Sequence, residues 1–331
     1  MKNFTYARAD SAQGAISLLS RNANSKYLGG GTNLIDLMRE DIEQPDALVD
    51  VTGLPSAGIT ELADGGISIG ASVRNSAVAN SRLVRERYPL LSQAILFGAS
   101  GQIRNMATVG GNLMQRTRCY YFYDEASRCN KRAPGSGCDA IGGFNRMHAI
   151  LGTSEDCIAA HPSDMCVALA ALDAIVHVEG RDGERTIPFE TFHSLPGETP
   201  HVETALRSDE LITSIQLPAL EFAKHSRYRK VRDRASYAFA LVSVAAALEI
   251  ADGKILNVRL ALGGVAPKPW RAYQAESVLA GAQAGAETFR RAAEAELSAA
   301  RAYGHNDFKI DLAKRTIAGV LSEMTETGGA R

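Results

Sequence analysis

Apolar positions along the first eighty residues fall into short helical and extended stretches in alternation. Residues 11–21 read as a helix, with Ser11 as its cap and Ala12, Ala15, Ile16, Leu18 and Leu19 as one apolar stripe. A short strand through Lys26-Tyr27-Leu28 runs into a triple glycine, and residues 34–40 read as a short helix. Residues 47–51 form the next predicted strand, and 66–73 alternate apolar and small residues as a strand does. Residues 81–97 are helical in pattern, with Pro89 placed to break or kink the helix. Further on, 163–174 predicts a helix and 175–178 and 211–217 predict strands, with a proline-punctuated loop between those strands.

Two departures divide this pattern. From 98 to 161 periodicity mostly vanishes, leaving about sixty residues of Gly, Asn, Arg and Cys; so long a loop inside a compact domain is usually functional. After about residue 225 the chain alternates charged residues over 228–234, turns apolar over 239–250, and gives another strand over 255–263. Alanine-rich helices near 272–280, 284–301 and 312–324 follow, so a domain boundary is expected within 220–227, separating 1–222 from 226–331.

Composition narrows the options. The 331 residues are 45% hydrophobic and 22% charged, enough for a large core. The net charge of -1 and the lack of a basic stripe speak against nucleic acid or an anionic membrane as partner. No apolar run reaches the roughly 18 residues of a spanning helix. The start of the chain turns polar at once, without a signal-peptide stretch. The expectation is a cytoplasmic chain unless a folded partner carries it out.

Gly29-Gly30-Gly31-Thr32-Asn33 follows a predicted strand. Glycines allow positive φ and close backbone approach, so successive N–H groups can converge on an anion, aided by the helix opening at Leu34. A tight turn without ligand is the alternative. The segment fits neither G-x-G-x-x-G nor a P-loop. Thr108-Val109-Gly110-Gly111-Asn112 repeats the same chemistry about eighty residues later, and two such turns suit a pyrophosphate held from two sides.

Four of the five cysteines, Cys119, Cys129, Cys138 and Cys157, lie in the irregular stretch, with nine, eight and eighteen residues between them. An odd total without a signal sequence argues against a disulfide framework. Thiolates bind zinc or iron–sulfur clusters; no C-x₂₋₄-C knuckle is present, and spacing alone does not choose the metal. Four free thiols are the alternative. Arg116, Arg118, Arg128, Lys131 and Arg132 would offset the charge of a thiolate-ligated cluster or form a solvated basic surface. Cys166, in an apolar helix, is expected to be a buried small residue. His148 and His161 are possible further ligands or satisfied loop histidines.

With these residues in view, the chain resembles the FAD-binding subunits of molybdenum-containing hydroxylases of the xanthine dehydrogenase family. More narrowly, it is similar to those of bacterial periplasmic aldehyde oxidoreductases, which carry an extra [4Fe-4S] cluster. The resemblance runs nearly end to end. Its most specific pieces are residues 29–38, 98–105, 115–119, His161-Pro162-Ser163-Asp164, 228–237 and 263–271. It implies FAD contacts at Tyr27, Leu28, Gly29, Gly30, Gly31, Thr32, Asn33, Leu34 and Ile35, and at Thr108, Gly110, Gly111 and Asn112. It places cluster ligation on Cys119, Cys129, Cys138 and Cys157. It also implies FAD contacts at Asp164, Ile212, Lys230 and Tyr237. Taken alone, Asp164 could be a first-turn acid, Ile212 a core residue and Lys230 an exposed strand residue.

The implied fold is an α/β FAD domain of two subdomains with FAD extended between them, followed by an α+β domain of antiparallel strands and helices. The implied function is electron transfer: aldehyde oxidation at a molybdenum-cofactor subunit, passage through a [2Fe-2S] subunit to FAD, and delivery to an external acceptor. No catalytic dyad is needed in this chain, since the cofactors carry the redox chemistry. The implied compartment is the periplasm, reached by co-export on a partner's signal. A zinc-stabilised binding module and a stand-alone flavin oxidase are the rival readings.

Overall fold

The computed structural model describes residues 1–55 and 58–328. Three sheets organise it. The first is parallel, with β1 (Thr5–Arg8) and β2 (Ser25–Leu28) flanking β3 (Ala47–Asp50), so that Tyr6 and Tyr27 sit on either side of Leu48 and Val49. The helix Ala12–Leu19 connects β1 to β2. Ser11 caps it by accepting from Gly14 N, and Ala15, Ile16 and Leu19 are buried in a small core with Val49 and Leu54.

The second sheet is wholly antiparallel. It contains β4 (Ile59–Glu61), β5 (Ile67–Gly70), β6 (Ile175–Gly180), β7 (Gly183–Pro188) and β8 (Leu211–Leu217) in the order β4-β5-β8-β6-β7. β7 falls where the sequence predicts loop; Pro188 ends it on the sheet's edge, the position a residue without N–H tolerates. Helices Pro89–Phe97 and Asp164–Ala171 cover this sheet. The expected break at Pro89 is present: Arg82–Arg87 is one helix and Pro89–Phe97 the next, with Pro89 in its first turn.

The third sheet holds β9 (Ser226–Val231), β10 (Val242–Ala251), β11 (Lys254–Gly263) and β12 (Trp270–Arg271) in the order β12-β11-β10-β9, all antiparallel. Every residue from Val242 to Leu248 is buried. Ala245 joins Ala261 and Tyr228 in the core of the second sheet, whereas Val244, Ala246 and Leu248 pack with the C-terminal helices. The period of two thus lets one small-residue strand serve two cores.

The stretch 98–161 is more ordered than its sequence suggests. Gly101–Met106, Val109–Leu113 and Tyr120–Tyr123 are short helices, the first two capped by Ser100 and Thr108 side chains. Beyond them the chain is held by side chains. Arg132 donates to the carbonyls of Tyr121 (2.7 Å), Phe122 (2.8 Å) and Ser127. Asn130 Oδ1 accepts from Gly137 N at 2.8 Å and its amide donates to Asp156. Leu37, Phe122 and Cys129 form a separate small core beneath this loop. Among the described residues no helix is long and apolar enough to cross a membrane.

Candidate functional site

The two glycine segments meet. A Cβ on Gly29 would lie 2.6 Å from Thr108 Oγ1, and one on Gly30 would lie 1.9 Å from Met106 O. Only glycine permits this approach of one backbone to another. Gly31 takes φ +71°, left-handed, as the chain turns into the helix Leu34–Arg39. Opposite, the Thr108 hydroxyl caps the helix Val109–Leu113 by accepting from Gly111 N at 3.2 Å.

A cleft of about 680 Å³ runs along this junction. Tyr27, Gly29, Gly30, Gly31, Thr32, Asn33, Leu34, Thr108, Gly110, Gly111 and Ile212 line it. Leu28, Ile35 and Asn112 lie behind its wall. Ile35 packs under Gly31, and Asn112 Oδ1 accepts from the Ser163 hydroxyl at 2.5 Å. Ile212 is both cleft wall and core residue. Among the described residues, five that line the cleft carry a buried polar atom without a partner: the Tyr27 hydroxyl, Asn33 Nδ2, Ser72 Oγ, His161 Nε2 and His193 Nδ1; burial raises the Tyr27 pKa far above its usual value. Such atoms, beside a glycine cradle that a Cβ would fill, fit a polar dinucleotide.

A second hollow of about 200 Å³ adjoins the cleft, lined by Asp164, His148, Phe239 and Cys119 among others. Asp164 Oδ2 lies 2.7 Å from Lys230 Nζ, both side chains nearly shut off from water. The Tyr228 hydroxyl donates to Asp164 Oδ1 at 2.6 Å. Burial, then the Asp164 charge, pushes the Tyr228 pKa well up, so it stays a donor. Lys230 is therefore no exposed strand residue, while Asp164 is also the first residue of its helix. Tyr237 stands apart: it is 56% exposed, has φ +50° and lines none of these hollows. The tip of the β9–β10 hairpin turns it outward, while Phe239 of the same hairpin connection lines the second hollow together with Tyr120.

Cys119, Cys129, Cys138 and Cys157 all line one internal void of about 10 Å³. Cys129 and Cys138 face each other across an isolated antiparallel bridge. Among the described residues no three of these sulfurs lie within 4.8 Å of one another. A single tetrahedral zinc would need sulfurs roughly 3.8 Å apart, closer than any three of these lie. Burial pushes the Cys119 thiol up to about 12 and the Cys157 thiol up to about 11, so deprotonation would accompany metal binding. Thr117 lines the cleft, the second hollow and the void, and so marks where all three meet.

The basic residues around the void are already engaged. Arg116 pairs with Glu43 and Glu203, Arg118 with Asp36, Arg128 with Asp139, and Lys131 with Glu203, while Arg132 holds carbonyls. Of the two candidate histidines, only His148 is hydrogen-bonded to one of these four cysteines, its Nε2 3.0 Å from Cys119 Sγ. His161 packs edge-on against His193, and the two share a buried cluster with Cys166, which is core as expected. That trio makes a poor metal site. Ser163 N–H donates to His161 Nδ1, which places the ring proton on Nε2 and leaves no lone pair there. His193 and Glu203 are site residues that no sequence motif announces, and each arrives from an element remote in the chain; Thr117 and Tyr228 lie within the motifs 115–119 and 228–237, which gave them no role of their own.

Residues 2–220 match the FAD binding domain in molybdopterin dehydrogenase, and residues 226–324 match the CO dehydrogenase flavoprotein C-terminal domain. The chain therefore belongs to the FAD-binding subunits of the molybdenum-containing aldehyde oxidoreductase and xanthine dehydrogenase family. It is 51% identical to the aldehyde oxidoreductase FAD-binding subunit PaoB of Escherichia coli K12 over 98% of both chains. It is 29% identical to the glyceraldehyde dehydrogenase medium chain of Sulfolobus acidocaldarius, covering 84% of this chain and 81% of that one. Among solved structures, the carbon monoxide dehydrogenase of Hydrogenophaga pseudoflava lacking the Mo-pyranopterin moiety superposes with a TM-score of 0.76 at 26% identity, over 98% of both chains. The quinoline 2-oxidoreductase of Pseudomonas putida 86 gives the same TM-score and coverage at 22% identity, a likeness of fold. FAD binding and an oxidoreductase role within a complex follow from the family.

Proposed function

We propose that this chain is the FAD- and [4Fe-4S]-carrying electron-transfer subunit of an aldehyde oxidoreductase. In this reading it assembles with a molybdenum-cofactor large subunit and a [2Fe-2S] small subunit and delivers electrons to an external acceptor. The observation that carries it is the convergence of four thiols on one void that shares Thr117 with the dinucleotide cleft. The 51% identity to an aldehyde oxidoreductase subunit supports the substrate class. When bound, FAD supplies two-electron acceptance and release, and a cluster supplies one-electron transfer.

The work of the chain's own residues is placement. Backbone N–H groups of the two glycine segments, with Asn33 Nδ2, would hold the pyrophosphate without a formal positive charge. Asp164, which lines the second hollow, is held in place there by Lys230 and Tyr228. Cys119, Cys129, Cys138 and Cys157 would hold the cluster. Engagement of the nearby Arg and Lys side chains by carboxylates makes the loop's charge nearly balanced before any metal enters.

The test is flavin, iron, acid-labile sulfide and zinc stoichiometry on the complex purified with its partner subunits. One flavin and one [4Fe-4S] cluster per chain, beyond the small subunit's iron, are expected. One zinc per chain without that extra iron would overturn the cluster, and isolation without partners as an active oxidase would overturn the subunit role. For the compartment we propose the periplasm, by export of the assembled complex on a partner's signal; recovery of the complex only in the cytosolic fraction would refute it.

A further inference from the structure

We propose that His148 donates an N–H···S hydrogen bond to Cys119 and thereby raises the reduction potential of the cluster, and that Lys309 of the C-terminal domain holds His148 in place. The inference rests on the [4Fe-4S] reading above and goes beyond it by naming the residues that tune the centre.

The His148 Nε2 to Cys119 Sγ distance is 3.0 Å, and His148 is 2% exposed. Among the described residues it is the one side chain hydrogen-bonded to any of the four sulfurs; the other sulfur contacts come from backbone amides, Tyr121 and Phe122 at Cys119, Ala140, Ile141 and Ile158 at Cys138, and Ala159 at Cys157. As a free thiol, Cys119 could donate to the imidazole. As a metal-bound thiolate it has no proton, so the bond can run only from Nε2–H to sulfur. A donor on a ligating sulfur stabilises negative charge there, and the reduced cluster carries one more negative charge than the oxidised. The bond therefore favours reduction.

What keeps the ring at that sulfur comes from the far end of the chain. Lys309 is fully buried, and its ammonium donates to the carbonyls of His148 (2.8 Å), Met147 (3.4 Å) and Gly264. Those three carbonyls match its three N–H groups. Asn306 donates to Ala149 O at 3.0 Å, and Asn145 Oδ1 accepts from His305 N at 3.0 Å. The segment 305–309 thus grips 145–149 from behind, opposite the cysteines. His148 and Lys309 are positioning residues, and neither is a ligand.

The experiment is an EPR-monitored redox titration of the [4Fe-4S] signal in the purified complex, with iron content measured in parallel, for wild type, His148→Leu, His148→Gln and Lys309→Met. His148→Leu is expected to keep its iron and shift the midpoint to lower potential. His148→Gln, which retains an N–H donor, should recover most of the wild-type value, and Lys309→Met should shift it in the same direction by less. A midpoint unchanged or raised in His148→Leu, an equal shift in the Gln variant, or loss of iron from the Leu variant alone would overturn the proposal. Should the Leu variant fail to fold, the Gln and Lys309→Met midpoints decide it: a full shift with Gln, or none with Lys309→Met, refutes it. A wild-type complex without the cluster would instead refute the cluster reading itself.

Discussion

At the dinucleotide cleft, shape is set by backbone lying on backbone, with Gly29 and Gly30 against Met106 to Thr108. At the thiol site, a few residues away, shape is set by side chains reaching across an irregular loop: Arg132 to four carbonyls, Asn130 to Asp156 and Gly137, Lys309 to His148. The first arrangement needs glycine at fixed positions and tolerates change around them. The second distributes its hold over many polar contacts, each individually worth about 1 kcal/mol net but costly when one partner is left buried and unpaired. One site should therefore fail at single backbone positions, and the other should fail when a linking side chain or a ligand is removed.

The largest expected effect separates the two sites outright. Cys129→Ser should lose the cluster iron and lower soluble yield while flavin stays bound, read by metal analysis and the flavin absorbance of the complex. Unchanged iron would remove Cys129 from the ligand set. The reciprocal variant is Gly30→Ala, whose Cβ would sit 1.9 Å from Met106 O and force the two segments apart. Flavin affinity should fall by at least tenfold with iron retained, measured by flavin release on dilution. Loss of both cofactors together in either variant would show that the sites are not separable.

Asp164→Asn comes next. It strips the counter-charge from a buried Lys230, and breaking a buried pair destabilises by about 3 kcal/mol. A lowered melting temperature is expected, with recovery in Asp164→Asn/Lys230→Met, checked by thermal unfolding of all three chains. Equal stability of wild type and Asp164→Asn would mean that the pair contributes nothing to the fold.

The effect that is smallest at neutral pH, and grows only with acid, concerns two buried histidines. Burial holds the His161 pKa well below its ordinary value and pulls His193 down to about 4. Below pH ~6.5 the unfolded chain binds protons on both rings that the folded chain refuses, so stability should fall as pH drops from about 6.5 towards 4. The slope is at most roughly 1.4 kcal/mol per pH unit for each ring. Removing one ring by His193→Phe should flatten this acid limb, and an unaltered limb would assign it to other groups.

The cleft was the more legible of the two sites, because its chemistry sits in two contiguous segments whose glycines announce backbone contact. Sequence spacing also isolated the four cysteines, yet it could not say that they meet, since nothing local brings 119, 129, 138 and 157 together. Tyr237 stands at the end of the motif 228–237 that resemblance assigns to the flavin side; in the chain by itself the hairpin turn leaves its ring exposed, a placement that local sequence does not specify. β7 escaped notice because Pro188 reads as a loop signal, whereas on an edge strand its missing N–H disturbs no pairing.

Local chemistry in the chain determined the glycine turns, the break at Pro89, the helix caps at Ser11 and Ser163, and the cysteine inventory, since each depends on residues within one turn of one another. Tertiary packing alone decided that Gly30 lies on Met106, that Asp164 closes on Lys230 and Tyr228, and that Lys309 supports His148 behind Cys119. Those contacts join residues tens to more than a hundred positions apart. They form because burying the two large cores fixes the sheets relative to one another, and the polar groups caught between them must then find partners.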